Sequence, residues 1–220
     1  MATTNRESEA THKNRASIYG FLATAFASPS EEHFPLPGQI NEYRNNVDQL
    51  SIELTKSADE LIATTREHKR QTLLVEHTRL FVGPFHIPAP LYGSVYLETG
   101  GTLMGQSTVA VLNFYRSSGL NISDDFDDLP DHICVELEFM QFLCTKQATV
   151  SSEDDADLTD EYRLKQSSFL EKYLSSWIPS LAKRIEGNTD NSFYLALASN
   201  LFAFLEYERD FSFGAVTYSP

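Results

Sequence analysis

Cysteine, tryptophan and basic residues are scarce in this sequence, and each shortage excludes something. Two cysteines among 220 residues cannot make a disulfide framework, so a folded chain must rest on core packing in a reducing compartment. Lysine and arginine number 17 against 31 acids, for a net charge of −14. Such a surface repels phosphate backbones, which argues against general nucleic-acid or anionic-membrane binding. No run approaches the roughly 20 apolar residues that span a bilayer. The first fifteen residues are polar and lack the apolar stretch of a secretory signal. A soluble protein follows, with the cytoplasm as its expected location. Catalytic signatures are missing too: there is no GxxxxGK[ST] loop, no GxGxxG after a strand, no GxSxG elbow and no HExxH.

What is present is an apolar fraction of 41% with 12% aromatics, enough for one sizeable core. Helical periodicity runs through most of the chain. Ile18, Leu22 and Ala25 share a face over residues 15–27, widened by Phe21 and Phe26. Ile40, Tyr43, Val47, Leu50 and Leu54 alternate steps of three and four. A longer run over 58–82 is closed by Gly83-Pro84. Residues 107–118 read as a helix with Ser107 as N-cap and Gly119 past its end. Residues 130–148 form a very apolar helix with Ile133, Leu137, Met140 and Cys144 on one face. Segments 159–178 and 179–186, separated by Pro179, and a last helix over 191–209 complete the set. No alternating strand pattern and no repeat is visible. The expectation is an all-α fold, one domain of about eight helices, with halves at 14–119 and 131–209 joined by a hinge at 120–130.

Two features stand apart from this pattern. Residues 83–97 carry three prolines yet also Phe85, Ile87, Leu91, Tyr92, Val95, Tyr96 and Leu97. Loops are normally polar and at the surface, so this one either caps the core or lines an apolar groove for a partner. Charge is uneven as well, with thirteen acids and one base, Lys146, between Asp124 and Glu161. His132 and Glu136, one helical turn apart, could ligate a metal. No second such pair completes the site, and a structural role at the helix start is the alternative. Cys134 and Cys144 lie roughly 15 Å apart along one helix and cannot bridge.

Three sequence blocks carry more than composition: RLFVGPFHIPAPLYGSVYLE at 79–98, Gly105-Gln106-Ser107-Thr108, and LPDHICVELEFM at 129–140. They resemble the TorD/DmsD family of redox-enzyme maturation chaperones, and the segment from Trp177 to Leu205 is similar to that family as well. The resemblance implies an all-helical cytoplasmic chaperone without catalytic activity or cofactor. Such a protein would hold the twin-arginine leader, and often the body, of a molybdopterin-dependent oxidoreductase subunit until its cofactor is inserted, before Tat export. Proteins of cofactor biosynthesis are further implied partners; nucleic acid and stable membrane insertion are not. Carried over by position, the leader-binding residues would be Leu80, Phe85, Tyr92, Gly105, Asp131 and His132, with His77 where some relatives have tryptophan. The proline of the Asp128-Leu129-Pro130-Asp131-His132 segment is shifted by one from the family's usual Glu-Pro-x-Asp-His. Two rival readings remain: a small metal- or nucleotide-dependent hydrolase using His132 and Glu136, or a helical scaffold that reads no leader.

Overall fold

Two helices that lie more than a hundred residues apart in sequence make the centre of the molecule. In the computed structural model, α1 (Ala2–Phe26) and α7 (Ile133–Ser152) pack against each other more extensively than any other pair. The description covers residues 2–30, 37–84, 86–121, 128–152 and 155–214, without the side chains of 2–8, 37, 152 and 212–214. Close approach of the two helices depends on Gly20, where an added Cβ would stand 2.6 Å from the Gln141 amide. On α1, Ile18, Leu22 and Phe26 are fully buried; on α7, so are Ile133, Leu137, Met140 and Cys144. The apolar stripes read from the sequence therefore face each other.

Around this pair stand α2 (Pro37–Asp48), α3 (Ile52–Glu67), α4 (Arg70–His77), the single turn α5 (Ser94–Leu97), α6 (Gln106–Ser117), α8 (Ala156–Phe169), α9 (Ser175–Glu186) and α10 (Ser192–Gly214). No strand occurs among the described residues. Three boundaries differ from the periodicity. The face that seemed to run from Ile40 to Leu54 is two helices, because Ser51 is extended and its hydroxyl accepts a hydrogen bond from Glu53 N at 3.2 Å, capping α3. The 58–82 run is likewise broken at His68, which is extended. After α4 it continues as a π-helical turn, Thr78–Val82.

Pro179, expected to separate two helices, instead sits inside α9. A π-helical turn at Leu170–Leu174 links α8 to α9 with right-handed dihedrals at both junctions. A proline one turn into α9 removes only one ladder bond there, and the widened turn just before it accommodates the ring.

A buried polar cluster ties α1 to α10 and α8. Arg15, 1% exposed, donates from Nε to Glu208 Oε1 at 2.6 Å and from Nη2 to Gln166 Oε1 at 2.8 Å. The Tyr19 hydroxyl donates to Glu208 Oε2 at 3.0 Å. Both charges are thus paired and bonded, the condition under which burial of an ion pair is tolerated.

Of the expected hinge, 122–127 lies outside the described residues. The chain leading into it ends α6 with a Schellman turn. Gly119 has φ +86°, Gly119 N donates to Arg116 O, and Leu120 N donates to Tyr115 O, both at 3.0 Å.

Candidate functional site

The apolar loop and the start of α7 are stitched together by backbone. Ile133 N donates to Leu91 O at 2.8 Å and Gly93 N donates to Asp131 O at 2.9 Å, closing an antiparallel bridge between Tyr92 and His132. Part of the loop caps the core: Ala89 and Leu91 are buried, and Tyr96 stacks on Trp177 with ring centroids 5.4 Å apart. Leu91 also lines an open cleft.

That cleft, of about 540 Å³, lies between the C-terminal end of α1 (Phe26, Ala27, Ser28), His77 of α4, Leu91, and the residues Asp128, His132, Cys134, Val135 and Glu138. Its floor is apolar and its rim acidic. The His77 Nε2 is 3.1 Å from the Phe26 carbonyl, which can only accept, so that nitrogen carries the proton. Its Nδ1 is then a bare acceptor, buried and without a partner. Burial also pushes the His77 pKa below 6.5, partly offset by the bond to Phe26.

His132 stands opposite. Cys134 N donates to its Nδ1 at 3.3 Å, and its ring meets Tyr92 edge-on at 4.9 Å between centroids. Asp128 Oδ2 lies 3.7 Å from Nδ1. Burial lowers the His132 pKa and the carboxylates of Asp128 and Asp131 raise it, with burial the larger influence. Both imidazoles are therefore neutral at pH 7. The Cys134 thiol is pushed far above its usual value by burial and then by Glu138 and Asp128. Both carboxylates thus act on one point of the cleft.

The residues singled out from the sequence are dispersed. His77 and His132 line the cleft, and Tyr92 packs on its edge against His132. Leu80 is fully buried in the π-helical turn and presents no surface. Gly105 is the N-cap of α6, the place expected for Ser107; a Cβ there would fall 2.3 Å from Glu98, whose carboxylate accepts from Ser107 N and Oγ at 2.7 Å. Phe85 lies outside the described residues.

Asp131, expected to meet a leader arginine, is 1% exposed and turned inward: its Oδ2 accepts from Ser94 N at 2.7 Å, fixing α5. Its Oδ1 is buried without a partner. The shifted Pro130 explains the turn, since its carbonyl is held by the Tyr115 hydroxyl at 2.8 Å.

Asp128, Val135 and Glu138 were not singled out as site residues. A helical step of three from His132 through Val135 to Glu138 is the signal that would have found the last two. The metal reading fails on orientation. Glu136 is buried, its carboxylate accepts from Trp177 Nε1 at 3.1 Å, and it does not line the cleft that His132 lines. Among the described residues no group of three or more His, Cys, Asp and Glu side chains could hold a metal.

An all-helical bundle with an acid-rimmed, apolar-floored cleft and neutral histidines in its walls belongs to the class of binding proteins. The profile of the nitrate reductase delta subunit family matches residues 46–183. The chain belongs to that family, which embraces the TorD/DmsD-type maturation chaperones that its motifs resemble. It is 23% identical to the chaperone protein TorD of Vibrio parahaemolyticus over 216 residues, covering 95% of this chain and 99% of that one. It is 34% identical to the perchlorate reductase assembly chaperone protein of Dechloromonas aromatica over 123 residues, covering 54% of this chain and 53% of that one. Among solved structures, an Archaeoglobus fulgidus protein described as a redox enzyme maturation protein shares the fold, with TM-score 0.53, 24% identity, and 87% of this chain and 93% of that one covered. The relatives are chaperones and assembly proteins, and this chain is a chaperone rather than an enzyme.

Proposed function

We propose that the chain is an assembly chaperone for a molybdenum-dependent oxidoreductase subunit, acting in the cytoplasm by holding that subunit's twin-arginine leader in the α1–α7 cleft until the cofactor is in place. The carrying observation is the cleft itself: about 540 Å³, floored by Phe26, Leu91 and Val135 and rimmed by Asp128 and Glu138. A leader is a pair of arginines followed by an apolar helix-forming stretch, and such a groove is its complement in both shape and charge. Carboxylates can grip guanidinium bidentately, a geometry that lysine cannot imitate. Family membership supports the same reading, since relatives are named for assembling perchlorate and selenate reductases.

The test is a fluorescence-anisotropy titration of the purified chain with a labelled twin-arginine leader and with the same peptide carrying two glutamines. Saturable binding of the first, weakened about tenfold or more in the second (about 1.4 kcal/mol), supports the proposal. Absence of binding to any such leader by the folded protein refutes it.

A further inference from the structure

The cleft has a neighbour. A second depression of about 160 Å³ is lined by Tyr115, Leu120, Asn121, Val135, Glu138 and Phe139. Val135 and Glu138 line both. They sit three residues apart on one face of α7 and form a ridge, with the acidic cleft on the α1 side and the smaller depression on the α6 side. The two cavities differ in chemistry. The first holds Asp128, whose side chain is 39% exposed, and His77, 5% exposed, whose Nδ1 is a lone acceptor without a partner. The second is walled by an aromatic ring, a leucine and a phenylalanine. The Schellman turn, through Leu120 N bonded to Tyr115 O, ties two of its lining residues together.

Resting on the leader reading above, we infer that the bound peptide crosses α7 over the Val135–Glu138 ridge in one direction. The arginine pair sits on the α1 side, where Asp128 and Glu138 supply carboxylate acceptors. The first large apolar side chain of the following stretch then enters the Tyr115–Leu120–Phe139 depression. Charge decides the direction. Guanidinium needs carboxylates; among the described residues the cleft is lined by two, Asp128 and Glu138, and the smaller depression by Glu138 alone, where an arginine would be desolvated against apolar side chains. Among the described residues, Glu138, at the ridge, is the one carboxylate that lines both cavities. Asp131, buried under Ser94, takes no part in this contact.

The experiment is photo-crosslinking on the unmodified chain. A twin-arginine leader carries a benzophenone amino acid either next to the arginines or at the first large apolar position, and the attachment sites are mapped by mass spectrometry. The inference expects the arginine-side probe on residues 26–28, His77 or 128–134, and the apolar-side probe on 115–121 or Phe139. A double-mutant cycle accompanies it. Glu138→Gln should lose roughly three- to tenfold affinity for the native leader and much less for the two-glutamine leader. Leu120→Ala should couple to the peptide's apolar position instead. If the leader binds but both probes label one cavity, or label them in reverse, the crossing is wrong while the proposed function stands. If no leader binds at all, both fall together.

Discussion

Glu136 offers the most exacting test of the packing described above. It is buried at 1% exposure in the body of α7, and its Oε2 accepts from Trp177 Nε1 at 3.1 Å. Burial pushes its pKa well above 4.5; the Trp177 hydrogen bond works against this and the Asp131 carboxylate adds to it. The folded protein therefore keeps this proton at pH values where the unfolded chain has released it. Stability from this group is fully present below pH 4.5 and is lost as pH rises toward the folded pKa. Each pH unit within that window costs about 1.4 kcal/mol. The perturbation is Glu136→Gln, which keeps the shape and an acceptor for Trp177 but cannot ionise.

Three histidines act in the opposite sense over part of that range. His12 is lowered to about 4 by burial and then by Arg15, and His77 and His132 are lowered by burial. Their stabilising effect is present above 6.5 and is lost as pH falls below it. The wild-type profile is thus a sum, and the quantity to measure is the difference between the two proteins. Urea unfolding at pH 5, 6, 7 and 8 should show the glutamine variant gaining on the wild type as pH rises. A difference that does not change with pH would show that Glu136 is ionised in the folded state, refuting the packing of α7 against Trp177.

Other expectations follow from the same geometry. Arg15→Met should cost about 3–5 kcal/mol by stranding Glu208, and adding Glu208→Leu should recover most of it, both read from urea midpoints. Asp131→Ala frees Ser94 N and should cost about 1–3 kcal/mol of stability while leader affinity of the remaining folded protein stays unchanged; a loss of affinity without a loss of stability would return Asp131 to the site. Leader affinity should fall as salt rises, because Asp128 and Glu138 stand on an exposed rim; a salt-independent titration would mean that only the apolar stretch is read. Affinity should also hold steady from pH 8 to 6.5 and fall below that, as His77 and His132 gain charge in a cleft meant for a cation. A rise in affinity on acidification would contradict their placement.

The helical architecture was legible because burial follows period. The α7 stripe of Ile133, Leu137, Met140 and Cys144 and the α1 stripe of Ile18 and Leu22 are fully buried, as their spacing required. Periodicity cannot see breaks that keep the phase: Ser51 and His68 interrupt helices whose apolar face resumes in step on the other side. Pro179 misled for the opposite reason, since a strong local signal was absorbed by a widened turn that nothing in composition announces. On α10, Phe202 is 41% exposed, while Phe204, two residues on, is buried at 2%.

Of the residues expected at the site, His77 and His132 are the two that line the cleft. Residue type alone cannot tell whether a carboxylate turns outward: Asp131, expected to meet the leader, turns inward, and Asp128, three positions earlier, lines the cleft. The choice rests on Ser94 N and the Pro130 carbonyl, contacts made across 15 to 37 residues of sequence. Gly105 and Leu80 belong to conspicuous motifs, but what those motifs preserve here is packing around Glu98 and the π-helical turn.

The central claim is that the α1–α7 cleft receives the leader, and amide hydrogen exchange of the full chain with and without a saturating twin-arginine peptide addresses it most directly. Protection should rise at residues 26–28 and 128–139, with a smaller gain around 118–121, and should not change along α3. Protection confined to the polar cleft between α4 and the α9–α10 turn, where Arg79 holds Glu76 and the Asn188 carbonyl, would place the leader elsewhere and contradict the account.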